Sequence, residues 1–319
     1  MSGNPSALGG PLKFTLAKAG AGMTKRNMTL LAQSIYKTLA FYDVQDFPLT
    51  LFEVRNYLIR EPGLESVSVS LIQATFSELG SLVACKTGLY FLAGREELVE
   101  FRRRHYRTSL KRFIKIRRYL KPLRHFPYLR AVAISGSQAL SNGGRGSDID
   151  LFILTGKDRI WLTRAIVSFY FHLLAKRRHG KHIAGRFCLN HYLVEDVSID
   201  QDRNLYTALE YASLLPILGE RSWQNFWAMN GWVRGFLDNP VFQKHNLFPA
   251  FEFSLWQKLF ERVLDFTLAS GLNRLLGWYQ KRRIKRLEHI LVSDRELSFH
   301  PGSRGQQILA RFQSKLDGF

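Results

Sequence analysis

Ala131 to Leu154, AVAISGSQALSNGGRGSDIDLFIL, is the stretch that decides the fold of the central part of the chain. An apolar run at 131–134 breaks at Ser135-Gly136-Ser137. A short helical stretch, a glycine-rich turn and a second apolar run follow. The pattern predicts strand, turn, helix, loop and strand. Because side chains alternate between the two faces of a strand, we expect Asp148 and Asp150 to point the same way.

Two neighbouring carboxylates beside a glycine-containing turn are typical of a metal-dependent site that binds and transfers phosphate groups. Carboxylate oxygens are hard ligands suited to Mg²⁺, and metals bridging polyphosphate oxygens are a recurrent solution for phosphoryl and nucleotidyl transfer. Glycine at 136 lets the backbone approach a phosphate, and exposed N–H groups with the Ser137 hydroxyl can donate to it. In the alternative interpretation, Asp148 caps a turn and Asp150 lies on a solvated strand face.

At these residues the chain resembles the nucleotidyltransferase superfamily that includes DNA polymerase β and the kanamycin-type and minimal nucleotidyltransferases. That pattern is an apolar strand, Gly-Ser, a spacer, then acid-apolar-acid-apolar. Here ten residues separate Ser137 from Asp148. The resemblance implies Mg²⁺- or Mn²⁺-dependent transfer of a nucleotidyl group from an NTP to an acceptor hydroxyl, with release of pyrophosphate. Asp148 and Asp150 would be the catalytic metal ligands, and Gly136 and Ser137 would hold the triphosphate.

A third strand is predicted at 187–193, after a crossover helix at 159–177 that Thr155 or Asp158 could cap. The resemblance implies a third acid on this strand, but its central polar residue is Asn190. The alternative sources of that acid are three residues in the loop just beyond the strand, Glu195, Asp196 and Asp200. Asn190 then joins the nucleotide-binding candidates, and its neutral amide would hold a second metal more weakly than an acid. A protein that has lost the chemistry and only binds nucleotides or nucleic acid is therefore the alternative.

The composition implies a polyanionic partner. The 46 Lys and Arg against 26 Asp and Glu give a net charge of +20, which favours nucleic acid or an anionic membrane surface. The hydrophobic fraction of 46% excludes global disorder. Cys85 and Cys188 have no CxxC spacing, so we expect neither a disulfide framework nor a zinc site, and a cytoplasmic location fits. No apolar segment is long enough to predict a membrane span.

Residues 29–100 are predicted to form a winged-helix-like module after a flexible lead-in at 1–28. Three helical signals precede two short apolar runs around a Lys86-Thr87-Gly88 turn, as in a β-hairpin. The candidate recognition helix, SLIQATFSEL, would be capped by Ser70 with Gln73 three residues later. It contains no basic residue, so a purely packing role is the alternative to DNA binding.

Residues 102–130 contain twelve Lys or Arg and no acid, interleaved with apolar residues. This pattern predicts a helix with one buried stripe and a basic exterior, either contacting phosphates or simply solvated. Peripheral membrane binding by basic amphipathic helices at 102–121 and 255–286 is a further alternative.

The expected fold class is α+β, with a nucleotidyltransferase-like mixed-sheet core at 101–203. From Asn204 onward the pattern is helical throughout, with breaks near Gly271 and Gly277, so 204–319 is predicted to be a helical domain.

Overall fold

The computed structural model describes residues 28–64, 66–200, 202–240, 250–284, 290–299 and 303–318. Apart from Met28, the predicted lead-in lies outside the described residues. The fold is α+β, with a small antiparallel sheet and a mixed six-stranded sheet, which confirms the predicted fold class at that level.

The N-terminal part contains three helices and three short strands, in this order: α1 Leu30–Asp43, β1 Leu49–Thr50, α2 Leu51–Asn56, α3 Val69–Leu79, β2 Val83–Lys86 and β3 Leu89–Leu92. The predicted hairpin is confirmed, since β2 and β3 pair antiparallel around Thr87-Gly88. The predicted Ser70 cap is wrong. Ser68, two residues earlier, is the N-cap of α3 and accepts a hydrogen bond from the Leu71 backbone N–H at 3.2 Å, so the helix begins at Val69.

The central part contains α4 Glu97–Leu120, β4 Leu129–Ser135, α5 Gly136–Ala139, β5 Ile149–Thr155, α6 Ile160–Leu173 and β6 Phe187–Val194. The predicted strand, turn, helix, loop and strand are confirmed, and α6 is the expected crossover between parallel β5 and β6. Helix α6 is shorter than predicted and has no side-chain cap. The Thr155 hydroxyl instead donates to the Leu193 carbonyl across the sheet, and Asp158 takes a left-handed conformation at φ +56°.

The C-terminal part contains α7 Leu205–Ala212, β7 Leu215–Leu218, α8 Glu220–Met229, α9 Leu255–Thr267, α10 Ala269–Ile284, β8 Leu291–Val292, β9 Glu296–Ser298 and α11 Ser303–Asp317. The prediction of helix throughout is therefore wrong, because three strands lie among these helices. The break between α9 and α10 falls at Leu268 rather than at Gly271 or Gly277. Gly277 lies inside α10, where a Cβ would come within 2.9 Å of the Trp161 ring, so it serves close packing.

The large sheet has the strand order β7-β4-β5-β6-β9-β8, with β5 and β6 parallel and every other pair antiparallel. Helices cover both of its faces. One face packs against α4 and α6 through residues such as Phe113 and Phe171, and the other packs against α7 and α8 through Tyr211 and Trp223. Burial on both faces explains why β4 and β5 are continuously apolar beyond their polar ends.

A second core joins the N-terminal elements to the C-terminal end of the chain. Ile35 and Phe41 of α1 lie in one buried cluster with Leu209 of α7 and with Ile308 and Phe312 of α11. This packing places α11 next to the ends of the strands that carry the Gly-Ser turn and the aspartates, and it creates the cavity described next.

Candidate functional site

Strands β5 and β6 bring three potential metal ligands together. Asp148 immediately precedes β5, Asp150 is its second residue, and Cys188 is paired with Asp150 across the parallel ladder. One ligand atom from each of these three side chains lies within 4.8 Å of the other two. The alternation expected from the sequence thus places the two carboxylates side by side, and the neighbouring strand adds a thiol.

The Gly-Ser turn lies directly against this pair. Gly136 has φ +63°, in the left-handed region that favours glycine. A Cβ built on it would lie 2.9 Å from Asp150 Oδ2, too close for a side chain to fit without displacing the carboxylate. The turn that ends β4 therefore contacts the acidic start of β5, and this contact requires a glycine at position 136.

Asn190 is hydrogen-bonded to Asp150, and its orientation is defined by two partners. Its amide nitrogen donates to Asp150 Oδ1, while its amide oxygen accepts from the Cys188 thiol at 2.6 Å. Burial, together with the nearby Asp150 carboxylate, raises the pKa of Cys188 to about 12, so the thiol keeps its proton and acts as a donor. Asn190 therefore offers Asp150 an N–H group, and its oxygen is already engaged.

Asp148 has a different partner, the guanidinium of Arg178. Arg178 Nη1 lies 2.5 Å from Asp148 Oδ2 and 3.5 Å from Cys188 Sγ. Both side chains of the ion pair remain partly accessible to solvent. A cation that binds Asp148 must share this carboxylate with Arg178, so the arginine reduces the negative charge that Asp148 offers to a metal.

The carboxylates fit a hard divalent cation. Asp148 and Asp150 can each offer an oxygen, and Mg²⁺ is typically held by one or two carboxylates together with water and substrate phosphates. The protonated Cys188 thiol does not suit Mg²⁺ or Mn²⁺, which prefer oxygen ligands. The donor set therefore matches the predicted Mg²⁺ or Mn²⁺ through the aspartates alone.

A cavity of about 280 Å³ opens beside Asp150. Gly136, Ser137 and Asp150 form part of its lining, and Tyr206 and Glu210 of α7 form another part. Helix α11 contributes polar side chains, of which two are cations: Arg304, Gln307 and Arg311. The predicted phosphate turn and one predicted metal ligand thus share a cavity with two arginines. Asp148 and Asn190 adjoin Asp150 but do not line it.

The basic helix α4 has two different roles in the structure. Some of its cations are structural, since Arg102 is buried and bonded to Glu53 at 2.6 Å, and Arg112 donates to the Ser147 carbonyl at 3.1 Å. A second cavity of about 350 Å³ is lined by Arg112 together with Lys115 and Arg118 of α4, and by Lys176 and Ile149. Among the residues that the structure describes, none that lines this cavity is acidic, so the cavity is suited to an anion.

The sequence contained a signal for Cys188 that the prediction missed. Cys188 and Asn190 are two residues apart on one strand, so they must point to the same face, and both therefore lie next to Asp150. Arg304 and Arg311 had no comparable signal, because the tertiary packing of α11 against α1 and α7 brings them to the cavity.

Comparison with protein-family models, with characterised proteins and with solved structures yields no match. The arrangement of the residues themselves is therefore what supports a function.

Proposed function

We propose that the protein is a Mg²⁺-dependent nucleotidyltransferase that moves a nucleotidyl group from an NTP to an acceptor hydroxyl. The observation that carries the proposal is the contact between Gly136 and Asp150, which packs a Gly-Ser turn against an Asp-x-Asp strand at the edge of a cavity. A capping or solvated role for the two aspartates would not require this close approach. In this proposal residues 101–203 belong to a nucleotidyltransferase-like core.

Each group has a distinct task in the proposed site. Asp148 and Asp150 would hold Mg²⁺, which when bound offsets the negative charge of the triphosphate and of the leaving pyrophosphate. Ser137 and the backbone of its turn donate hydrogen bonds to phosphate oxygens. Arg304 and Arg311 on the α11 side add positive charge to the same cavity. In the reaction, the acceptor hydroxyl oxygen bonds to the α-phosphorus as the bond from that phosphorus to the oxygen bridging the α- and β-phosphates breaks. Pyrophosphate leaves, and the hydroxyl proton is released to water.

The acceptor is proposed to be a polyanion such as a nucleic acid. The cavity lined by Lys115, Arg118 and Lys176 adjoins Ile149, the residue between the two aspartates, so a phosphate bound there would lie near the site. Residues 29–100 are proposed to form a winged-helix-like module, with the order of helices and strands that the structure shows. Its α3 helix contains no Lys or Arg.

A second candidate function is nucleotide binding without efficient transfer. It is favoured by Asn190, whose amide nitrogen faces Asp150 where the family resemblance implies a third acid. A lone pair of carboxylates can hold the metal that accompanies the triphosphate, whereas activation of the attacking hydroxyl depends more on added negative charge. We expect nucleotide binding to be robust and transfer to be slow or to demand Mn²⁺.

The test measures the metal dependence of NTP binding by calorimetry, followed by transfer of α-labelled NTP to candidate acceptors. Replacing Asp148 and Asp150 together by Asn should remove metal-dependent binding without unfolding the protein, since it relieves a like-charge pair. The matched control replaces Asp196 and Asp200, two exposed acids outside the cavity lining, and changes the net charge by the same amount. Unchanged nucleotide affinity in the folded Asp148/Asp150 variant would refute the proposal.

A further inference from the structure

Helix α9 is attached to the protein by its polar side. Gln257, Glu261 and Asp265 are spaced four residues apart and therefore lie on one face. The Gln257 amide donates to a backbone carbonyl of β4 at 2.6 Å. Glu261 accepts from the Tyr128 backbone N–H at 2.6 Å and pairs with Arg130 at 2.7 Å, while Asp265 accepts from the Tyr128 hydroxyl at 2.7 Å. The face that contacts the body of the protein thus carries these three polar side chains, with Leu264 packed beside them.

The opposite face of α9 is apolar and points outward. Leu255 is 84% exposed and Phe266 is 92% exposed, although both are large apolar side chains. Together with their neighbours they form what we call the outer apolar face of α9: Leu255, Trp256, Leu259, Phe260, Val263 and Phe266. A surface helix of a globular protein normally buries such a stripe against the core, so the polarity of α9 is reversed.

Helix α10 likewise combines inward hydrogen bonds from polar side chains with large apolar side chains on its outward face. Its inward residues include Asn273, whose amide oxygen accepts from a backbone N–H of α6 at 2.9 Å, and the buried Gln280, which donates to the Trp161 carbonyl at 2.9 Å. Its outward residues include Leu275 and Trp278, each 61% exposed. Helix α10 also buries apolar residues, among them Ala269 and Ile284, so it is apolar on both sides. The two helices share large apolar side chains on their outward faces.

The outward charges of the two helices are positive. Glu261 and Asp265, the two acids of α9, are bonded to the body of the protein, and α10 contains no acid. Five cations of the two helices are exposed: Lys258, Arg262, Arg274, Arg282 and Arg283. On a helical wheel, Lys258 and Arg262 fall on the flank between the inward polar face and the outer apolar face. The surface is thus apolar with a basic border.

We propose that this surface of α9 and α10 docks onto an anionic lipid bilayer, lying in the plane of the interface. Apolar and aromatic side chains with adjacent Lys and Arg are the composition of interfacial helices, and Trp256, Trp278 and Tyr279 suit the headgroup level. The cations would face anionic headgroups, which complement their charge. No helix within the described ranges is long and apolar enough to cross the bilayer.

A second copy of the chain is a poorer occupant of the same surface. In a symmetric dimer each patch meets itself or its immediate surroundings, which brings the basic borders of the two copies towards each other. The net charge of +20 adds repulsion over the whole molecule. An anionic bilayer buries the same apolar side chains and neutralises these charges instead.

The test is flotation of the full chain with vesicles of phosphatidylcholine alone and of phosphatidylcholine with phosphatidylglycerol. The protein should float with the anionic vesicles, and added salt should weaken the binding. Replacing Leu255 and Phe266 by Ser should reduce partitioning about tenfold or more, because burial of each such side chain contributes substantially to interfacial binding. Both side chains are exposed, so the variant should keep the thermal stability of the wild type.

The matched control replaces Phe52 and Leu71 by Ser, one Phe and one Leu that are also exposed but lie on α2 and α3. This variant should float like the wild type. The proposal is overturned if the wild type stays unbound, or if the Leu255/Phe266 variant floats equally well. A third result would also overturn it: the wild type sediments as a dimer and does not bind vesicles, while the Leu255/Phe266 variant sediments as a monomer. The outer apolar face of α9 would then be the contact with a second copy of the chain.

Discussion

Replacing Gly136 by Ala perturbs the proposed site at its closest contact. Two costs follow from the structure. An L-residue in the left-handed region costs about 1–2 kcal/mol, and the new Cβ lies 2.9 Å from Asp150 Oδ2. Since carbon contacts are optimal at about 3.5–4.0 Å, the carboxylate must retreat by roughly half an ångström or more.

The two costs are expected in different measurements. The strain lowers the free energy of unfolding and the melting temperature by a few degrees, since about 1 kcal/mol corresponds to roughly 2–4 °C in proteins of this order of size. The displaced carboxylate weakens metal-dependent NTP binding by about tenfold or more, given that a misplacement of about 1 Å can cost about a hundredfold in a catalytic site. Thermal unfolding and calorimetric titration with Mg²⁺ and NTP measure the two effects separately.

Replacement of Gly88 by Ala is the control for the strain alone. Gly88 has φ +77° at the tip of the β2–β3 hairpin, and a Cβ there would meet nothing within 4 Å. This variant should lose a similar amount of stability and bind nucleotide like the wild type. If the Gly136 variant is folded and also binds nucleotide like the wild type, the proposed role of the turn against Asp150 is wrong.

Three further variants test neighbouring parts of the account. Asn190→Asp should tighten Mn²⁺ binding and lower the melting temperature without metal, because it adds a third carboxylate next to Asp148 and Asp150; an unchanged metal titration would contradict this. Hydrogen bonds from Lys281 and Trp161 lower the pKa of Asp294 below its ordinary value of about 3.9. The ionised carboxylate therefore stabilises the fold when the pH is above that ordinary value, and this contribution is lost as the pH falls through the lowered pKa. Asp294→Asn should therefore cost less than about 1 kcal/mol at pH 6 and nothing in stronger acid, as measured by chemical denaturation. For polyanion binding, Arg118→Gln should reduce the slope of the logarithm of the binding constant against the logarithm of the salt concentration by about one. An unaltered slope would show that Arg118 contacts no phosphate.

The central strands and the acidic pair could be predicted because their signals are local. The alternation of Asp148 and Asp150 follows from strand geometry, and the apolar run at 131–134 has the length of a buried strand. The turn at Thr87-Gly88 likewise specifies its hairpin over a few residues. Such features depend on neighbours in sequence, which are visible without the fold.

The C-terminal strands could not be predicted because they are specified by distant partners. Leu215 pairs with Ile134, and Leu297 pairs with Tyr192, so these short strands form only where the sheet offers a free edge. The same limit applies to Arg304, which reaches the cavity through tertiary packing. Short apolar segments among helices have no periodicity that distinguishes a strand from a helical turn.

The amphipathic pattern of α9 could be read from the sequence, but the direction in which it faces could not. Its orientation depends on Tyr128 and Arg130, which lie more than a hundred residues away and bind Glu261. Without these partners, the apolar stripe would be assigned to the core by default. The reversed orientation is thus a property of the tertiary structure.

The most direct test of the proposed catalytic site is a crystal soaked with Mn²⁺ and a non-hydrolysable NTP, in which the anomalous signal locates the metal. We expect Mn²⁺ on the carboxylates of Asp148 and Asp150, with the triphosphate against Gly136 and Ser137. An ordered nucleotide bound elsewhere, for instance in the basic cavity beside α4, with no Mn²⁺ at the two aspartates, would contradict the account.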